Sequence, residues 1–161
     1  MDLSPEDRTR KETQEHIGNV RMFLEMIIRQ IAVRAEGHDS SKLEEPEFST
    51  FVEYTPKLKG STYGSDEYKE FLKGMKVALD HHYKENSHHP EHFVNGIKGM
   101  SLIDLVELLS DWVAASKRHD TGNVAKSIEI NQERFGYTDE LKEILLNTIQ
   151  LLGYKKDGTK T

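Results

Sequence analysis

The chain has 161 residues, of which 35% are hydrophobic and 31% charged, carries a net charge of −6 and contains no cysteine. That length suits one domain with a buried core, and the missing cysteines exclude disulfides and thiolate zinc sites. The acidic balance speaks against nucleic acid polymers, which need a basic face to displace counterions, and no apolar run reaches the ~18 residues of a membrane span.

The elements follow in chain order. Ser4-Pro5-Glu6-Asp7 reads as a helix start, with Ser4 as N-cap, Pro5 at the first helical position and acids in the first turn. Ile17, Val20, Phe23, Leu24, Ile27, Ile28 and Ile31 then recur at helical spacing to about Ala35, and Gly37 ends the run. His38 to Leu43 opens a short helix that breaks near Pro46 and resumes through Phe48, Phe51 and Tyr54. Pro56 to Gly64 reads as a loop. Ser65-Asp66-Glu67 starts a helix whose stripe of Tyr68, Phe71, Leu72, Met75, Ala78 and Leu79 runs into His82.

Asn86 to Gly99 is a histidine-bearing loop with a helical turn at Pro90. Ser101 to Asp104 fits a capping box ahead of Leu102, Leu105, Leu108, Leu109, Trp112 and Val113. Two helices follow, about Asn123 to Phe135 and Thr138 to Leu152, and the tail from Gly153 to Thr161 reads as flexible. No segment alternates apolar and polar residues for long, so no strand is expected. The expectation is an all-α bundle of about six helices, a single domain over residues 1–152. The acidic start lacks a signal-peptide pattern, so a cytoplasmic protein is expected.

Of the eight histidines, seven fall in three places: His16, His38, and the stretch holding His81, His82, His88, His89 and His92. Such clustering invites a metal. His16 steps with Val20, Phe23 and Ile27 and so shares the apolar face of the first helix. His82 continues Phe71, Met75 and Ala78, whereas His81 points about a quarter-turn aside. Asp111 lies among Leu108, Leu109, Trp112 and Val113, where an unpaired carboxylate would cost several kcal/mol. Each group alone has a plainer reading: a satisfied core histidine, a helix cap, a carboxylate paired with a cation. Their joint occurrence points to a metal, and the resemblance described next implies a divalent transition ion held by His16, His38, Asp39 and Asp111.

That ordered set, on a helical chain, resembles the HD superfamily of metal-dependent phosphohydrolases. His38-Asp39-Ser40-Ser41-Lys42 resembles its H-D-x-x-K variant, found in the phosphodiesterase branch, and the double histidine His81-His82 with Ser110-Asp111 is similar to further motifs of that branch. The whole is also similar to a small HD-like family of bacteria and phages, with the likeness spanning about Glu12 to His119. It implies a compact HD-type helical bundle, with one or two ions of Mn, Fe, Co, Ni or Zn (or Mg) per chain. The glycine-tyrosine-proline motif of that branch is absent, and no histidine lies between Asp39 and Asp80. The candidates for a second metal or for phosphate are therefore His81, His82, His88, His89 and His92.

The implied activity is hydrolysis of a small phosphorylated substrate, a nucleotide monoester or triphosphate, with a homodimer compatible and no polymer or membrane partner. Asp39 and His82 are the expected catalytic groups, and Lys42, one turn from the His-Asp pair, the expected phosphate contact; Arg118 is a second cation and Glu12 an extra ligand in some relatives. A dinucleotide phosphodiesterase, a di-iron oxygenase on an HD scaffold, and a metal- or nucleotide-binding module without turnover are the competing readings.

Overall fold

A computed structural model describes residues 3–61, 65–117 and 122–158. Among these, seven α-helices and three 3-10 turns account for the regular structure, with no β-strand. The all-α expectation holds. Among the described residues no helix is long and apolar enough to cross a membrane. The chain divides into two compact units, residues 1–37 and 38–161.

The first unit is helix α1, Pro5–Gly37. Its start is capped as the sequence implies: the Asp7 N–H donates to Ser4 Oγ at 3.1 Å. None of its residues is buried within the structure.

The second unit holds α2 (Glu47–Gly60), α3 (Asp66–Gly74), α4 (Lys76–Glu85), α5 (Leu102–Ser116), α6 (Val124–Phe135) and α7 (Asp139–Leu151). Its apolar core joins α5, α6 and α7 through Leu109, Val113, Val124, Ala125, Ile128, Leu145 and Ile149. Each of these ends was written locally. Ser101 and Asp104 form the expected capping box, Asn123 and Thr138 cap α6 and α7, and Gly136 closes α6 at φ 64°, a left-handed conformation that suits a residue without Cβ. Tyr137 lies in this core and donates its hydroxyl to the Ile128 carbonyl.

Three expectations need correction. The segment from Pro56 is helical to Gly60, because a proline near a helix end removes a single hydrogen bond of a ladder that the preceding turns already hold. The helix expected from Ser65 through His82 is two helices, parted at Met75. Gly74 stands at that break with the Tyr54 hydroxyl so close that any Cβ would strike it, so the joint is a packing contact with α2.

The tail, read as flexible from Gly153, is docked as far as it is described. Tyr154 is buried in the core, and Asn123 Nδ2 donates to the Asp157 carbonyl at 2.6 Å. Tyr154→Ala should therefore lower the unfolding free energy by about 3 kcal/mol in a urea titration. An unchanged midpoint would mean that the tail contributes nothing.

Candidate metal centre

The centre is assembled in the second unit from four stretches. Gly37 ends α1, and His38-Asp39 opens the 3-10 turn Ser40–Leu43. Asp39 adopts φ 55°, a left-handed conformation that carboxylate and carboxamide residues tolerate better than most. Strain of this kind concentrates at functional positions. Helix α4 supplies His81 and His82, the loop before the 3-10 turn Pro90–His92 supplies His88 and His89, and α5 supplies Glu107 and Asp111. Helix α5 does two jobs at once. Leu109 and Val113 face the apolar core, while Glu107 and Asp111, offset by two residues or roughly 200°, face the opposite way.

Among the described residues three groups each bring their metal-ligating atoms within 4.8 Å of one another: Asp39 with His82, His88 and His89; His38 with Asp39 and Asp111; and His38 with His88 and Glu107. Hydrogen bonds settle what each does. His38 Nδ1–H donates to Glu107 Oε1 at 2.9 Å, and His88 Nδ1–H donates to the same oxygen at 3.1 Å. His82 Nδ1–H donates to Glu47 Oε2 at 2.9 Å, and His81 Nδ1–H donates to Glu47 Oε1 at 2.8 Å. A carboxylate only accepts, so each ring turns an Nδ1–H to it; in His82 and His88, which burial keeps neutral, the lone pair then stands on Nε2. Glu47 (0% exposed) and the mostly buried Glu107 thereby orient the imidazoles, as buried carboxylates behind metal-ligating histidines do.

The Nε2 atoms of His82 and His88 then converge on Asp39 Oδ1, at 3.4 and 3.5 Å. His89 Nε2 stands 2.9 Å from His82 Nε2. On the other side, His38 Nε2 lies 3.5 Å from Asp39 Oδ2 and 3.9 Å from Asp111 Oδ1. Asp39 Oδ1 and His88 Nε2 are buried without any hydrogen-bond partner. Two lone pairs that face each other in a buried site repel and lose hydration together, so this geometry asks for a cation between them. The two clusters meet at Asp39, one on each oxygen. Mixed imidazole and carboxylate donors suit Mn, Fe, Co, Ni or Zn better than Ca.

Electrostatics agree with ligand duty. Burial, assisted by the neighbouring His88 and His82, pushes His89 down to about 3. Burial likewise lowers His82 and His88, so all three rings are neutral donors at neutral pH. Burial works to raise the Asp39 carboxyl, but the Lys42 hydrogen bond and charge outweigh it and hold the group below the usual carboxylate range.

The expected residues fare unequally. His38, Asp39, Asp111, His82, His88 and His89 come together. His16 and Glu12 lie on α1 in the first unit, where both are exposed. His81 is held by Glu47 outside the clusters, and the exposed His92 donates Nδ1–H to the Tyr83 carbonyl at 2.9 Å. Lys42 Nζ donates to Asp39 Oδ2 at 2.5 Å. Arg118 lies outside the described residues. Glu47 and Glu107 were missed. Glu107 sits one turn before Asp111 on the same apolar helix, so the argument that found Asp111 applied to it equally.

A family model described as "Family of unknown function (DUF5662)" matches residues 5–152. The chain belongs to this family. No curated protein and no solved structure matches it. In this DUF5662 chain, every residue of the three clusters lies inside the matched span. Neighbouring contacts keep the loop histidines in place. Ser87 Oγ donates to Asp104 Oδ1 at 2.6 Å, which ties the residue before His88 to the cap of α5. Asn86 Nδ2 donates to Ser41 Oγ at 2.8 Å and so joins that loop to the turn that carries Asp39.

Proposed function

We propose that this protein is a metal-dependent phosphohydrolase that cleaves a phosphate ester of a nucleotide at a centre of one or two divalent transition ions shared through Asp39. The observation that carries this reading is the pair of buried, partnerless atoms Asp39 Oδ1 and His88 Nε2, each fixed with its lone pair inward. Likeness of His38-Asp39-Ser40-Ser41-Lys42 to the H-D-x-x-K motif of the HD superfamily supports the choice of chemistry. Divalent ions bound here would lower the pKa of water and offset the charge on the phosphoryl oxygens.

The water oxygen forms a bond to phosphorus as the bond to the ester oxygen breaks, and the water's proton ends on the departing oxygen. Asp39 anchors both halves of the donor set, and Glu47 and Glu107 hold the imidazoles in the tautomer that keeps Nε2 inward. Lys42 begins on Asp39 and can pass its ammonium to a phosphoryl oxygen, a charge-assisted contact worth about 1.5–3 kcal/mol. Lys42→Ala should therefore retain the ions and the helical content while kcat/KM falls roughly ten- to a hundredfold. Full activity in that variant would remove Lys42 from the phosphate contact.

The test of the reading is a panel of nucleoside mono-, di- and triphosphates and dinucleotides with Mn, Fe, Co, Ni, Zn and Mg, scored by phosphate or nucleotide release. Release that disappears with chelator and returns with metal supports it. A carboxylate-bridged, histidine-rich donor set also suits iron and oxygen, so turnover that requires Fe and O2 with no phosphate released would replace hydrolysis by oxygenation.

A further inference from the structure

A cavity of about 380 Å³ opens beside the centre, and both halves of the donor set reach it, through His89 and Asp111. That size is within the range of small-molecule sites. Away from the centre its walls are Tyr83, Trp112, Ile130, Asn131, Arg134 and Phe135, contributed mainly by α5 and α6. The aromatic and aliphatic groups offer area for a flat ring.

The polar groups are more selective. Among the described residues of this wall Arg134 is the one cation, and its Nη2 donates to Glu91 Oε1 at 2.7 Å, so it already has an anion. Asn131 Nδ2 donates to the Ser127 carbonyl at 3.0 Å, which fixes the carboxamide and leaves its Oδ1 as an acceptor. The far end of the cavity thus fits a ligand part that is flat, uncharged and equipped with an N–H donor. The near end fits an anion at the candidate metal centre.

We propose that this cavity is the base-binding pocket of the site, holding the nucleobase of a nucleotide whose phosphate lies at the His89–Asp111 end. The assignment rests on the phosphohydrolase reading for the phosphate, but base binding itself needs neither ion nor turnover. Asn131 Oδ1 accepts from an exocyclic amino group or ring N–H of the base. Trp112 is the only tryptophan of the chain, so its fluorescence reports occupancy directly.

The experiment titrates chelator-treated protein with adenosine, guanosine, cytidine and uridine, and in parallel with ribose 5-phosphate, while Trp112 emission is followed. At least one nucleoside should change the emission saturably, with a dissociation constant on the order of 0.1 mM from ordinary ligand efficiencies. Ribose 5-phosphate should leave it unchanged. Asn131→Leu and Asn131→Ser, each confirmed helical by circular dichroism, should both weaken the nucleoside about tenfold, the value of one hydrogen bond. The proposal is overturned if no nucleoside perturbs Trp112, if ribose 5-phosphate does so equally, or if both variants bind as the parent does. Because nucleosides carry no phosphate, failure here is separate from failure of the metal-dependent release assay.

Discussion

Asp39→Asn is expected to empty the centre of at least one ion and to lower phosphate release by about a thousandfold or more. The substitution keeps the size of the side chain and tolerates the left-handed backbone at φ 55°, which Ala would occupy with added strain. What it removes is the second anionic oxygen. Asp39 Oδ1 faces His82 and His88, and Oδ2 faces His38. An amide nitrogen has no lone pair to give, so one of the two clusters must lose its carboxylate, whichever way the carboxamide turns. A thousandfold is about 4 kcal/mol, within what a bound metal supplies to charge stabilisation in the transition state. Asp111→Asn is the control, since Asp111 belongs to one cluster and not the other; it should spare the ions held by His82, His88 and His89. Elemental analysis and phosphate release measure both. Ion content and kcat/KM within twofold of the parent in Asp39→Asn would end the shared-carboxylate reading.

The second large effect is expected at Glu107, the carboxylate behind two of the imidazoles. Glu107 Oε1 accepts from both His38 Nδ1–H and His88 Nδ1–H, and those two rings belong to different halves of the donor set. Glu107→Ala should weaken metal binding about 10- to 100-fold, as the loss of a carboxylate behind ligating histidines usually does. Glu107→Gln should fall between Ala and the parent, because its amide oxygen can take both N–H groups without the negative charge that makes the rings better donors. Competition against a chelator of known affinity provides the measurement, with circular dichroism to verify the helices. Equal affinity in all three proteins would assign Glu107 to packing alone. Glu47 offers a different geometry, one oxygen to each of His81 and His82, and its removal should act on the His82 half of the centre.

Helix identity and most helix ends were legible in the chain because they depend on local chemistry. Ser4, Ser101, Asn123 and Thr138 each cap a backbone N–H within three residues, an interaction a window of sequence contains in full. Burial of His82 and the inward edge of Asp111 followed from helical period, since residues three or four apart share a face whatever that face meets. The break at Gly74 was not legible. It depends on Tyr54, twenty residues earlier, whose ring lies where a Cβ would stand.

The site divides along the same line. The sequence by itself determined the residue types and their order, a His-Asp pair followed by clustered histidines and a carboxylate on an apolar helix, and with them the donor chemistry. Only the tertiary structure decided which of them meet. Packing within the second unit brings His82 to Asp39 and Asp111 to His38. In the loop, His88 and His89 enter the centre while His92 turns to a carbonyl, a choice made by chain path rather than by residue type. Glu47, at the start of α2 beside Glu44 and Glu45, reads locally as one more acid at a helix N-terminus. Its role appears once α4 packs against α2 and sets two imidazoles on its two oxygens. Period and capping act within a few residues, whereas His81 meets Glu47 and His38 meets Glu107 across 34 and 69 positions, and that distance is closed by packing alone.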